Sequence, residues 1–308
     1  MTIETKLIPI QTTAGEFKVW TEKHGQNDKI KILMLHGGPG CNHYYLKACD
    51  KPFAKLGVEY FYYDQLGSTN SPTGYPDDSK LDHLWELDRF VDEVEKVRKA
   101  LGLNKDNFVL YGQSWGGLLA QEYALKHGEN LKALIVSNMM SSSPAYGAYS
   151  KNLLAKLDDQ VAAKRIKELD LNQNKTAEEN EELEQLTLQH YYRAYVIQKP
   201  MEQWPEEVTK AFTGLNQAIY IPMQGPSELG VRGKLANWDR TGDISKITVP
   251  TLFIGAEHDT MDPRHLEAMA KKLPKGQSYI CKKGSHLAMW DDSESYFKGI
   301  GQFIRGLT

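Results

Sequence analysis

Cysteine is scarce in this chain. Three residues in 308, Cys41, Cys49 and Cys281, cannot build the disulfide framework of a small secreted domain, and an odd count fits a reducing, cytoplasmic compartment. An excess of charge of one sign is also missing. The 37 Lys and Arg against 40 Asp and Glu give a formal net charge of -3, which offers no footprint for nucleic acid or for an anionic membrane. Long apolar runs are lacking: nothing approaches the ~18–20 residues of a membrane span. The opening MTIETKLIPIQTT has no apolar core of signal-peptide length. A small secreted scaffold, a membrane protein and a basic nucleic-acid binder are all disfavoured. What remains is a 41% hydrophobic composition in a length that suits two domains, or one large α/β domain with an insertion.

The first part of the chain alternates strand and helix signals. EFKVWTE (16–22) reads as a strand. KIKILMLHGG places Ile30, Ile32, Leu33, Met34 and Leu35 in a short apolar run ended by glycines, as in a strand buried on both faces of a parallel sheet. VEYFYYD (58–64), NFVLYG (107–112) and LKALIVSN (131–138) are further strands. Leu84, Leu87, Val91, Val94, Val97 and Leu101 keep helical spacing over 83–101, with Gly102 as a stop. This alternation predicts a doubly wound, mostly parallel α/β sheet. Long polar helical stretches then fill 151–220 with no strand between them. Within them TAEENEELEQ reads as a solvated helix face. From Ile247 the α/β pattern resumes through PTLFIG, HLEAMAKKL, QSYICKK and a closing helix. The expected organisation is a core of residues 1–139 and 236–308, interrupted by a mainly helical cap at 140–235.

Three elements carry chemistry. Gly112-Gln113-Ser114-Trp115-Gly116 is a G-x-S-x-G pattern between a predicted strand and a predicted helix. A serine on such a turn has a strained backbone that lifts its hydroxyl above the sheet edge, and a nucleophile is expected there. A serine hydroxyl needs a base, and the base an orienting carboxylate, in the chain order Ser, acid, His. Asp259 follows the strand PTLFIG and His286 follows QSYICKK, both at carboxyl strand ends where ligands sit in open α/β sheets. The rivals are Asp262 for the acid and His258 or His265 for the base. Asp239 and Asp243 precede their strand and rank lower. The third element is His36-Gly37-Gly38-Pro39-Gly40, directly after a strand. A glycine-rich loop lets backbone N–H groups approach an oxyanion, and the expected donors are Gly38 and Trp115. Pro39 has no N–H to offer. Together these elements predict a serine hydrolase of the α/β-hydrolase fold.

HGGPG (36–40), YDQLGSTNS (63–71), GQSWGG (112–117), GAEHD (255–259) and GSHLAMWDD (284–292) resemble the proline iminopeptidase family, with the tricorn-interacting aminopeptidase branch as the nearest type. The resemblance spans almost the whole chain. It implies removal of one residue, often proline, from the free N-terminus of short peptides, with amino-acid amides as related substrates. It implies no metal and no organic cofactor. In that branch carboxylates hold the substrate ammonium, one of them in a G-P-x-E segment that Gly225-Pro226-Ser227-Glu228 matches. Glu228 is therefore the expected substrate-binding residue, and Trp290 is expected to brace the histidine loop. Three positions depart from the family pattern. Thr260 stands where a second glutamate is frequent, with Asp262 or Glu202 as stand-ins. Gly67-Ser68-Thr69-Asn70-Ser71 differs in a loop where arginine is common before the final serine, and Gln113 stands where Gly or Ser is common. The cap aromatics Tyr146, Tyr149, Tyr191, Tyr192, Tyr195, Trp204, Phe212 and Tyr220 are expected to pack mostly on one another, with two or three facing substrate.

Overall fold

The computed structural model describes residues 3–307, so residues 1, 2 and 308 of the expected core lie outside the described residues. Eight strands form one sheet in the order β1-β2-β4-β3-β5-β6-β7-β8. They are β1 Glu4–Thr12, β2 Gly15–His24, β3 Lys31–Leu35, β4 Glu59–Asp64, β5 Phe108–Gln113, β6 Ala133–Ser137, β7 Thr251–Ala256 and β8 Gly276–Cys281. From β4 to β8 every neighbouring pair is parallel. β1 and β2 add an antiparallel edge.

The period of two along the strands divides the core into two layers. Leu33 and Leu35 of β3, Leu110 of β5, and Leu134 and Val136 of β6 face Phe90, Val94 and Leu119. Those partners come from the helices Leu87–Ala100 and Trp115–His127. Ile32, Met34, Val109, Tyr111 and Ile135 face the other way, onto Phe53, Tyr296 and Ile300. Both faces are thus covered, which is why the central strands read as unbroken apolar runs.

Two details differ from expectation. β1 is a strand that the sequence did not announce. Its Ile8 and Ile10 are buried while Leu7 and Pro9 are exposed, and a proline is tolerated there because β1 is an edge strand. The helix expected from residue 83 begins at Leu87, because Glu86 is extended (φ -127°, ψ 140°) and Leu84 is buried in a separate 3-10 segment, Asp78–Leu84.

Between β6 and β7 the chain is helical: Ser143–Leu154, Gln160–Leu171, Ala177–Leu186 running on to Tyr195, Glu206–Thr213 and Gln217–Met223. Leu153, Leu157, Ile166, Leu169, Leu183, Tyr191 and Leu229 form a small core of their own within this segment. Gln217–Met223 instead sends Ile219 and Met223 into the sheet's first layer. The acidic helix Ala177–Leu186 buries only Leu183 and starts with a Thr176/Glu179 capping box, as a solvated helix face should. The segment leaves and rejoins the sheet at one point, where Ser142 and Asp239 form an isolated antiparallel bridge. Ser143 N–H donates to Trp238 O at 2.8 Å and Arg240 N–H to Ser141 O at 2.8 Å.

Ile135 is fully enclosed in the second layer. Ile135→Ala should lower stability by about 2–5 kcal/mol, read as a lower urea midpoint at unchanged slope. A loss below about 0.5 kcal/mol would contradict the enclosed, two-layer core.

Candidate active site

β3 is hydrogen-bonded to β4 on one side and β5 on the other. The strand order reverses at this point, and the crevice beyond the carboxyl ends there is where open α/β sheets hold ligands. His36–Gly40 leaves β3 and Ser114 leaves β5 at that crevice. Ser114 has φ 56° and ψ -128°, a region that costs a side-chain-bearing residue about 1–3 kcal/mol. The turn is held by Ser114 N–H to Ser137 O at 3.0 Å and Gly117 N–H to Ser114 O at 2.7 Å. Gly112 permits it: a Cβ there would run into the Gly116 carbonyl. The Trp115–His127 helix starts immediately behind Ser114, with its positive end toward the crevice.

Asp259 and His286 meet across the ends of β7 and β8. His286 Nδ1 lies 2.8 Å from Asp259 Oδ1. The carboxylate only accepts, so Nδ1 carries the proton and Nε2 is the basic side of the ring. Asp259 is fully buried and its oxygens are satisfied. Oδ1 accepts from Met261 N–H at 3.0 Å and from the Thr260 hydroxyl at 3.3 Å, and Oδ2 accepts from Asn138 Nδ2 at 2.7 Å. Asn138, at φ 49°, closes β6. Ser137 Oγ donates to Asn138 Oδ1 at 2.7 Å and lies 2.7 Å from the Tyr296 hydroxyl. The histidine loop is braced from the helical segment: His286 N–H donates to Tyr195 O at 3.0 Å and Leu287 N–H to Val196 O at 2.8 Å. Burial pushes the His286 imidazole down, but the Asp259 charge and hydrogen bond, with the added field of Glu228, outweigh it and raise its pKa above the ordinary value.

The loop after β3 is set by a buried neutral histidine. His36 Nδ1 lies 2.8 Å from Gly37 O, and Nε2 accepts from Gln65 N–H at 3.1 Å. A carbonyl can only accept and an N–H can only donate, so the proton is on Nδ1. Burial lowers the pKa of His36, against the opposing field of Asp64. In a trans peptide the carbonyl and the following N–H point in opposite directions. Fixing Gly37 O therefore turns Gly38 N–H the other way. Gly37 N–H is already used, donating to the Tyr45 hydroxyl at 2.7 Å. Gly38 needs to be glycine, since its φ is 108° and a Cβ would lie 2.7 Å from Cys41 N. The Gly38–Pro39 peptide is cis. The Trp115 indole donates to Gln65 Oε1 at 2.8 Å, and Gln65 Nε2 donates to His36 O at 3.1 Å. Trp115 is thereby tied to His36, at the start of the loop that carries Gly38.

Ser114, His286, Gly38 and Glu228 line one cavity of about 560 Å³. Glu228 Oε1 accepts from the Tyr220 hydroxyl in a very short bond, while the single proton of the Tyr146 hydroxyl lies between the Glu228 main-chain carbonyl at 2.6 Å and Oε2 at 3.1 Å. Tyr192, Trp204, Phe212 and Tyr220 form an aromatic wall, with the Trp204 and Phe212 rings 5.1 Å apart. Four of the eight named aromatics thus face the cavity rather than two or three. Tyr191 is turned into the segment's own core, against Ser150. Cys41 also lines the cavity, and burial pushes its thiol up to about 12, so it is protonated and a poor nucleophile at neutral pH.

Comparison with known proteins identifies the family. Residues 31–293 match the family model of the α/β hydrolase fold. The chain is 46% identical to a proline iminopeptidase of Flavobacterium johnsoniae, over 98% of each chain. It is 43% identical to one of Elizabethkingia meningoseptica, over 97% of each. The chain belongs to the proline iminopeptidase family of α/β hydrolases. A solved proline iminopeptidase from Mycobacterium smegmatis superposes with a TM-score of 0.84 at 23% identity, over 99% of this chain and 98% of that one, a likeness of fold. The relatives' names do not divide the family further, so the nearness to the tricorn-interacting branch stays an expectation of the sequence.

Against that family, the rivals and departures find their places. His258 is exposed, and His265 Nε2 accepts from Ser141 N–H at 3.2 Å. Asp262 caps the helix Pro263–Lys272 and pairs with Arg264. None of the three lines the cavity, and neither does Glu202. The second carboxylate on the cavity wall is Glu184, which was not singled out because it lies within the acidic helix. Thr260 points at the Asp259–His286 pair, 3.1 Å from Nδ1, rather than at the cavity. In the departing loop, Asn70 Nδ2 donates to the buried Asp64 Oδ2 at 2.8 Å, and His43 satisfies the other oxygen. Trp290 donates its indole N–H to Tyr45 O at 2.9 Å. Asn138 was missed as well: its role depends on β6 lying beside β7, which a strand-end asparagine does not reveal.

A fluorophosphonate probe carries no amine and needs a neutral imidazole base. Its rate of inactivation should fall as pH drops through the raised pKa of His286, with a midpoint above about 6.5. Glu228→Gln removes one of the raising charges and should move that midpoint down. An unmoved midpoint would show that the Glu228 field does not reach the imidazole.

Proposed function

We propose that this protein is a serine aminopeptidase that releases an N-terminal residue, proline or another small or hydrophobic one, from short peptides through an acyl-enzyme. One arrangement carries this reading. Ser114 and His286 share a cavity with a phenol-held carboxylate, Glu228, and with an aromatic wall. Ser114 Oγ attacks the carbonyl of the first residue while His286 Nε2 takes its proton and returns it to the leaving amine. Asp259 holds the Nδ1–H tautomer and stabilises the imidazolium. Gly38 and Trp115 N–H groups receive the oxyanion. Water then repeats the sequence on the acyl-enzyme.

Glu228 supplies the preference for a free N-terminus. A cation brought out of water needs a buried anion beside it. Tyr146 and Tyr220 orient the carboxylate, and its remaining lone pairs can accept from an ammonium. The aromatic wall suits a ring or an alkyl group by apolar contact. Residues 140–235 act as the cap in this reading. Their own small core supports treating them as a unit. Three free, buried cysteines support a cytoplasmic setting.

Pro, Ala and Phe arylamides, each with a free or an acetylated amine, test the proposal. Only free-amine substrates should be cleaved, with Pro among the best. Ser114→Ala should lower kcat by at least about 10⁴-fold, and Glu228→Gln should raise KM by roughly 10–100-fold through loss of a charged hydrogen bond. Equal cleavage of acetylated substrates would replace the aminopeptidase reading with that of an amidase or esterase on the same serine.

A further inference from the structure

Gln113 carries a buried primary amide at the end of a strand. It ends β5 immediately before Ser114 and is 1% exposed. A buried primary amide is costly unless its donor and acceptor are both used. Here they are used in a directed chain. Gly37 N–H donates to the Tyr45 hydroxyl at 2.7 Å, and Tyr45 O–H donates to Gln113 Oε1 at 2.6 Å. On the other side Gln113 Nε2 donates to the main-chain carbonyl of His286 at 3.1 Å. The polarity has one solution. The His286 carbonyl can only accept, which puts Nε2 on that side and Oε1 toward Tyr45. Tyr45 in turn has its lone pair taken by Gly37 N–H and its proton left for Gln113.

Three members of this chain belong to the three parts of the proposed machinery. Gly37 precedes the oxyanion residue Gly38, Gln113 precedes the nucleophile, and the accepting carbonyl is that of the base itself. We infer that Gln113 is a positioning residue that sets the oxyanion loop, the nucleophile and the base relative to one another through Tyr45. This rests on the reading of Ser114 and His286 given above. Tyr45 is fixed from behind, its main-chain carbonyl taking the Trp290 indole N–H and its ring packed in the sheet's second layer. An apolar side chain at 113 would fill the same space, but the His286 carbonyl and the Tyr45 hydroxyl would lose their partner and the three loops their common reference.

The test uses Gln113→Met, Tyr45→Phe and the double variant, on the best arylamide and on two ligands, L-prolinal and L-proline. The aldehyde forms a hemiacetal with Ser114 and reads oxyanion geometry; the amino acid reads ground-state binding. Each single variant should lose roughly 10–100-fold in kcat, the effect of a misplacement of about 1 Å, with KM within about threefold. L-Prolinal affinity should fall in step with kcat and L-proline affinity should hold. Because both substitutions cut one chain, the double variant should lose little more than the worse single one. Hydrogen exchange at the Gly37 amide should quicken in all three, a readout independent of turnover. Should Gln113→Met not fold, Tyr45→Phe carries the same comparison. Unchanged kcat, multiplicative losses, or equal weakening of both ligands would overturn the inference. A native protein that turns over no arylamide and leaves Ser114 unlabelled by a fluorophosphonate would instead overturn the aminopeptidase reading, and the Gly37 exchange would then decide whether the chain positions that loop.

Discussion

A serine held at positive φ between β5 and the helix behind it is the constraint on which the rest of this structure depends. The conformation is unfavourable for a residue with a side chain and persists only because its surroundings over-determine it. Gly112 and Gly116 remove the side chains that would push strand and helix apart. β3 on one side and β6 on the other fix the strand, and Ser137 O takes the Ser114 N–H. The sheet must be buried on both faces to be that rigid, and the two apolar layers provide this. The fold's apolar mass and the position of one hydroxyl are thus parts of a single arrangement.

Around that turn the structure satisfies a concentration of buried polar groups. Asp259, Asn138, Ser137 and Tyr296 form one connected set, and Gly37, Tyr45, Gln113 and the His286 carbonyl form another. Low dielectric makes such bonds strong and makes an unpaired member expensive. His36 and Asp64 extend the same logic to the loop after β3, each buried and each with its polar atoms accounted for. The consequence is that donors, base and nucleophile are oriented before substrate arrives, the preorganisation that electrostatic catalysis needs.

Much of this was legible in the sequence, for physical reasons. β3 to β7 announced themselves because burial on both faces leaves unbroken apolar runs. Ser114, Asp259 and His286 could be proposed because each follows a recognisable strand, in the chain order this fold imposes. β1 escaped notice because an edge strand tolerates Pro9 and exposed residues. Asn138, Tyr45 and Gln113 were not recognisable as partners, because what joins them is the lateral order of strands and loops, which local pattern does not encode. The stand-ins considered for the missing carboxylate illustrate the same limit. Asp262 has the right chemistry and the right neighbourhood along the chain, yet it is consumed in capping a helix, while Glu184 reaches the cavity from a segment that reads as mere solvated surface.

The attachment of the histidine loop to Tyr195 and Val196 bears on how molecules could come and go. These two residues belong to the helical segment over the cavity, and their carbonyls hold the main chain of His286 and Leu287. That cover is therefore no hinged roof: lifting it at 195–196 would detach the base along with it. Glu184 and Lys175 of the same segment line the cavity, so one stretch of chain supplies both part of the cavity wall and the support of the base.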